Sequence, residues 1–277
     1  MIRFEYFEPA SLAEAVQILG RHQGTASVLA GGTDLLVEIK EHLRRVAQVV
    51  NIKRIPGMTE LSFDPQSGLR FGALVTAREI ETSEVVKAKY PGLLQAVREL
   101  GSIQVRNRAT VVGNICRASP SADTLPPLIA DGARIRIFGA AEREIPLEEF
   151  FTGPGKTVLA PDEIVTGLSI PAPAPRTGKV YIKHGRRKAM ELATVGVAVS
   201  VSPNDARIVL GAVAPTPIRA ARAEQVFLES GNAAQAAEAA MDESRPITNV
   251  RASADYRREM VKVLTRRALE RAMELAK

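Results

Sequence analysis

The sequence predicts an α+β fold, and three observations carry the prediction. Helical and strand periods are mixed along the chain without the strict strand–helix–strand beat of a doubly wound sheet. A proline-rich stretch, residues 171–175, separates a longer part from a shorter one. Beyond it, two long apolar strands flank the turn residues Pro203, Asn204 and Asp205, and three helices follow. The chain has 277 residues, 45% hydrophobic and 25% charged. That is an ordinary globular mixture, long enough for about two domains.

The elements follow in order. Ser11 and Glu14 have capping-box spacing, with Ser11 as N-cap and Glu14 placed to reach back to it. Leu12, Ala15, Val16 and Leu19 then recur at helical spacing, up to a stop at Gly20 or Gly24. Residues 26–30 form a short apolar strand that runs into Gly31 and Gly32, and residues 49–52 a second strand. Residues 69–74 read as a strand, and 77–86 and 92–100 as helices, the latter closed by Gly101. Ile135 and Ile137 alternate with Arg134 and Arg136, the period of a half-buried strand. After the linker come strands at 194–202 and 207–213 and helices at 220–229, 233–241 and 256–276. In the last helix Tyr256, Met260, Leu264, Ala268, Ala272 and Leu275 form an apolar stripe, opposite Arg266, Arg267 and Arg271.

Composition excludes several classes. The single cysteine forms no internal disulfide and cannot hold zinc or an iron–sulfur cluster alone. A reducing compartment is expected on that ground. Residues 1–10 lack the basic-then-apolar order of an export signal, which agrees with a cytoplasmic location. The longest mostly apolar run, residues 192–201, is too short for a bilayer-spanning helix, which needs about 20 residues. The net charge of +6 raises the question of nucleic acid, but the basic residues are scattered and only eight Phe, four Tyr and no Trp are available for base stacking. A solvated basic surface is the expected reading, with no nucleic-acid partner.

Two loops carry the residue types of a ligand site. The first runs through Leu29, Ala30, Gly31, Gly32, Thr33, Asp34 and Leu35 at the end of a strand. Its glycines permit close backbone approach, and its successive amides can form a nest for an anion such as pyrophosphate. The same residues also suit a plain strand-to-helix turn. In the second, residues 109–112 read as an apolar strand leading into Gly113 and Asn114, and then into Cys116, Ser119 and Asp123. Local Asx and Ser turns explain each of these residues singly. Two phosphate-style loops together point to a ligand with two ends, such as a dinucleotide.

Other motifs are set aside. Residues 153–157 end like a P-loop, but position 150 is Phe where the first glycine belongs, so a turn is expected. His22, His42 and His184 have no spacing suited to a metal, and no metal ligand is assigned. Cys116 is expected as a small buried filler. Lys183 projects from a predicted strand, either beside a bound cofactor or as a solvated edge lysine.

Read together, the segments 30–35, 103–107, 109–115, 118–124, 161–164, 181–183 and 253–257 resemble the flavin-binding medium subunit of the molybdenum hydroxylases, the xanthine dehydrogenase family. The resemblance runs in order over essentially the whole chain. It implies a two-part FAD-binding domain of the vanillyl-alcohol-oxidase type at 1–171, with subdomains near 1–56 and 57–171. It also implies a C-terminal domain at 177–277 with a three-stranded antiparallel sheet and helices. On that pattern the 29–35 loop wraps the FAD pyrophosphate. Thr110, Gly113, Asn114, Ser119 and Asp123 line the other side, Ile164 or Val165 packs near the isoalloxazine, and Lys183 sits near its pyrimidine edge, where a cation favours reduced flavin. Val112 stands where many relatives carry a glycine.

The resemblance further implies partners: a large molybdopterin subunit and a small [2Fe-2S] subunit, in a dimer of heterotrimers. Electrons from a hydroxylated substrate would cross the iron–sulfur clusters to FAD and pass to NAD+, with quinone, ferredoxin or oxygen as alternatives. No protein acid or base is assigned a catalytic role. Residues 153–157 and 213–219 look most like the purine (xanthine) branch. Carbon monoxide, nicotinate, aldehyde and hydroxybenzoyl-CoA enzymes share the subunit plan, and a stand-alone flavin oxidoreductase is the remaining alternative.

Overall fold

A computed structural model describes residues 3–277, so the first two residues of the segment read above for an export signal lie outside the described range. The N-terminal part keeps a strand–helix beat: β1 (Glu5–Phe7), α1 (Leu12–Arg21), β2 (Ala26–Leu29), α2 (Leu35–Lys40) and β3 (Gln48–Asn51). Its strands are parallel in the order β1-β3-β2. The beat escapes sequence reading because β1 is three residues long and largely exposed, and α2 is a six-residue helix without a side-chain cap. Ser11 Oγ does accept from Glu14 N–H at 3.2 Å, but the Glu14 carboxylate accepts from Ala10 N–H at 2.8 Å, one residue before the N-cap. Leu29, Leu35, Ile39, Val46 and Val49 form a small core of their own here.

The middle part begins with β4 (Leu61–Asp64) and β5 (Gly68–Gly72). Six helices follow: α3 (Ala77–Thr82), α4 (Glu84–Lys89), α5 (Pro91–Glu99), α6 (Ile103–Arg106), α7 (Val111–Arg117) and α8 (Leu125–Ala130). The strands β6 (Arg134–Phe138), β7 (Glu142–Pro146), β8 (Phe151–Gly153), β9 (Lys156–Thr157) and β10 (Ile164–Ile170) complete it. Five of the strands make an antiparallel sheet in the order β4-β5-β10-β6-β7, and β8 and β9 form a separate hairpin through the expected turn at 153–157. The single helix expected at 77–86 is two. Ser83 is extended, ends α3, and caps α4 by accepting from Val86 N–H at 3.4 Å.

The strand expected at 109–112 is instead the start of α7. Thr110 Oγ1 accepts from Gly113 N–H at 3.0 Å, and this N-cap overrides the strand preference of two adjacent valines.

After the extended prolines come β11 (Gly178–His184), β12 (Val195–Ser202), β13 (Asp205–Gly211) and β14 (Ile218–Arg219), then α9 (Ala221–Ser230), α10 (Ala233–Glu243) and α11 (Ala254–Leu275). The sheet is antiparallel in chain order, and β14 adds a two-residue fourth strand to the three expected. Its central strand β12 is buried on both faces. Val195, Val197 and Val199 pack toward the C-terminal helices, while Tyr181, Ala198 and Val209 join the core of the middle part. The stripe on α11 is rotated from the expected one. Val261, Leu264, Ala268, Leu269 and Ala272 are buried, whereas Tyr256 and Leu275 are exposed, because Arg257 takes the inward position in the first turn. Among the described residues no helix is long and apolar enough to cross a membrane.

Candidate functional site

A cleft of about 760 Å³ lies where β2 ends, bounded by the Gly31–Gly32 turn, α7, the approach to α8 and the β11–β12 loop. The turn forms because β2 must reverse into α2 within five residues while pressed against the 108–109 backbone. A Cβ at position 31 would stand 2.1 Å from the Arg108 carbonyl oxygen, and Gly32 has φ +78°. Only glycine meets both demands. Among the described residues nothing accepts a hydrogen bond from the amides of Gly31, Gly32, Thr33 or Asp34. Four successive free donors on a cleft wall make a cradle for an anion.

Ala30, Gly31, Gly32, Thr33, Asp34 and Leu35 all line the cleft, and Leu29 is buried beneath them. Thr110, Gly113, Asn114, Ser119 and Asp123 line the facing wall. Thr110 and Gly113 are fixed by the α7 cap, and Asn114 Oδ1 accepts from the Thr124 hydroxyl at 2.7 Å. An apolar floor comes from Ile52, Ala73, Val112, Leu159 and Val165. Ile164, its neighbour on β10, is buried away from the cleft. Anion cradle, polar wall and apolar floor are the three surfaces that a flavin dinucleotide needs for its pyrophosphate, sugars and ring.

Lys183 is neither solvated nor on the cleft wall. Its side chain is 6% exposed, and Nζ lies 2.9 Å from Asp123 Oδ2. The ammonium also donates to the Glu191 carbonyl at 2.6 Å and the Glu99 carbonyl at 3.3 Å. Asp123 accepts in addition from the Tyr181 hydroxyl at 2.7 Å. Burial raises the Asp123 carboxyl to about 6, against the lowering by Lys183 and the Tyr181 hydrogen bond. Burial and the facing carboxylate push the Tyr181 phenol well above its ordinary value.

Other wall residues carry no readable sequence signal. Met190, Glu191 and Leu192 close one side from the β11–β12 loop, a stretch without hydrophobic period. Glu38, also on the wall, holds Arg117 at 2.6 Å and Arg44 at 3.8 Å, pairing α2 with the end of α7. A charged residue on a six-residue helix gives no warning of such a role. Cys116 lines the cleft half-buried, and burial lifts its thiol to about 12. His22 ends α1 and His184 meets the Tyr256 hydroxyl at 3.0 Å, so the two histidines lie on separate elements.

Comparison with known proteins bears on this geometry. The family described as the FAD-binding domain in molybdopterin dehydrogenase matches residues 2–173, and the CO dehydrogenase flavoprotein C-terminal domain matches residues 180–272. The xanthine dehydrogenase FAD-binding subunit of Escherichia coli O157:H7 is 30% identical, over 98% of this chain and 96% of that one. The carbon monoxide dehydrogenase medium chain of Hydrogenophaga pseudoflava is 32% identical, over 98% and 97% respectively. A solved structure of carbon monoxide dehydrogenase from Hydrogenophaga pseudoflava superposes with a TM-score of 0.94 at 33% identity, covering 99% of both chains. Family matches over nearly the full length, a shared fold and a cleft suited to a dinucleotide agree, and the chain belongs to the FAD-binding medium subunits of the molybdenum hydroxylases, a family of oxidoreductases.

Proposed function

We propose that this chain carries FAD between a [2Fe-2S] subunit and NAD+ in a purine (xanthine) dehydrogenase whose large subunit holds the molybdopterin. The observation that carries the reading is the cradle of four free amides at Gly31–Asp34, set across one cleft from Thr110–Asp123. Bound FAD would supply the chemistry, accepting electrons singly or in pairs and releasing them as a hydride. The residues of this chain bind and orient it. The amides of Gly31, Gly32, Thr33 and Asp34 hold the pyrophosphate, and Thr110, Gly113, Asn114 and Ser119 engage the sugars and the facing edge. Val165 and Ala73 pack the ring, with Ile164 stiffening the strand behind. Asp123 stands at the pyrimidine edge, and Lys183 stands behind it as its buried partner, offsetting the carboxylate's charge.

The same reading divides the chain into an FAD-binding domain at 1–171, with subdomains near 1–56 and 57–171, and a C-terminal domain at 177–277. It places the protein in the cytoplasm, in a dimer of heterotrimers. The likeness to the xanthine dehydrogenase subunit supports the purine assignment, and the likeness to the carbon monoxide dehydrogenase medium chain supports the alternative. The test is co-expression with the two neighbouring subunits, followed by flavin analysis and anaerobic assay. Stoichiometric FAD and NAD+ reduction with xanthine or hypoxanthine support the proposal. FAD with turnover of carbon monoxide instead overturns the substrate, and transfer only to quinone or ferredoxin overturns the acceptor.

A further inference from the structure

The segment 253–257 belongs to the family resemblance, yet none of it lines the cleft. Ser253 caps α11 by accepting from Tyr256 N–H at 3.2 Å, which fixes the first turn of the longest helix. From that turn two side chains reach the ends of the β11–β12 loop. The Tyr256 hydroxyl meets His184 Nε2 at 3.0 Å, at the end of β11 and one residue from Lys183. Arg257 Nη1 donates to the Thr194 carbonyl at 2.7 Å and the Ala212 carbonyl at 3.1 Å, and Nη2 donates to Asn249 Oδ1 at 2.8 Å. Just before the helix, Arg251 Nη1 donates to the Ala193 carbonyl at 3.0 Å and to Ser121 Oγ at 3.1 Å. The two ends of the loop are themselves joined, Thr194 N–H to the His184 carbonyl at 2.8 Å.

The arrangement is costly. Arg257 is 1% exposed, and among the described residues its Nε has no partner and no carboxylate pairs with Arg257 or Arg251. A buried guanidinium held only by carbonyls and an amide contributes little net stability. Its distinctive property is geometric: a planar fork fixes several backbone carbonyls at once. The Thr194 carbonyl, and the Ala193 carbonyl held by Arg251, end the loop whose Met190–Leu192 stretch walls the cleft and whose Glu191 carbonyl holds Lys183, while the Ala212 carbonyl ties the same fork to the end of β13.

We propose that Tyr256, Arg257 and Arg251 are positioning residues, a clamp that holds both ends of the 185–193 loop and thereby sets the cleft wall and the Lys183–Asp123 pair against bound FAD. The link to FAD rests on the function proposed above. Clamp and cofactor are separable by experiment, because Arg186, Arg187 and Lys188 are exposed on the loop and offer trypsin three bonds.

The test compares the full wild-type chain with Tyr256→Phe, Arg251→Gln and the double variant. Tyr256 is exposed and Arg251 half-buried, so these variants retain the core. The proposal expects at least fivefold faster early cleavage after residues 186–188, with unchanged thermal midpoint and unchanged cleavage at other exposed basic residues. It also expects about tenfold weaker FAD binding by flavin fluorescence in the double variant. Loop cleavage within twofold of wild type overturns the clamp, as does a general acceleration at all sites with a lowered midpoint. Faster loop cleavage with FAD affinity unchanged overturns the link to the cofactor. A wild-type chain that takes up no FAD defeats the function proposed above, while the cleavage comparison still decides the clamp.

Discussion

Lys183 Nζ lies 2.9 Å from Asp123 Oδ2, joining the edge strand β11 of the C-terminal sheet to the wall of the cleft. The carboxyl sits at about 6, above its ordinary value, because burial outweighs the lysine. Between about pH 4 and 6 the folded state therefore holds a proton on Asp123 that the unfolded chain has released. This contribution to stability is fully present below the unfolded value near 4 and is lost as pH rises through about 6. The carboxyl resonance of Asp123, followed by 13C NMR, is expected to titrate near pH 6. Lys183→Met removes the lowering by the lysine's charge and hydrogen bond and leaves that of Tyr181, so the midpoint is expected to move upward. A midpoint that stays or falls in that variant would refute the account.

Gly31 tests the anion cradle. In Gly31→Ala the new Cβ falls 2.1 Å from the Arg108 carbonyl, so the turn and the start of α7 must separate. The amides at 31–34 then lose their common focus. FAD affinity is expected to fall at least about tenfold, or roughly 1.4 kcal/mol, in a fluorescence titration, with the far-UV circular dichroism unchanged.

A second buried pair ties the C-terminal sheet to the end of α8. Lys179 Nζ on β11 lies 2.8 Å from Asp131 Oδ1 at the end of α8, and 4.5 Å from the centre of the Tyr90 ring. Among the described residues Asp131 Oδ2 has no hydrogen-bond partner. Removing one member strands a buried charge, whereas removing both does not. Lys179→Met is expected to destabilise the chain by about 3–5 kcal/mol in urea, and Lys179→Met with Asp131→Leu to recover most of that loss. Additive losses in the double variant would contradict the pairing.

The parts of the site visible in the sequence are those built from neighbours in the chain. A short apolar strand ending in two glycines marks the turn at 31–34, and hydroxyl and amide residues spaced within one segment mark the 110–123 wall. The start of α7 is misread because its two valines prefer strand in isolation, while its cap and the Asn114–Thr124 hydrogen bond enforce helix. The environment of Lys183 is not local at all. Its partner lies 60 residues earlier, and only the folded register converts an edge-strand lysine into a buried cation. Arg257 reads as the polar side of an amphipathic helix, and only the three carbonyl and amide oxygens around it show that it points inward.

Cys116 separates a structural thiol from a redox-active one. It lines the cleft, yet burial lifts its pKa to about 12, and among the described residues no cation pairs with it. Reaction with iodoacetamide goes through the thiolate, so at pH 8 the fraction available is about 1,000-fold below that of an ordinary thiol. The labelling rate of the folded chain is expected to fall by that order against the urea-unfolded chain, and to fall further once FAD fills the cleft. Rapid labelling of the folded chain, or a rate that levels off near pH 7, would mean that the thiol is activated and belongs to the chemistry of the site.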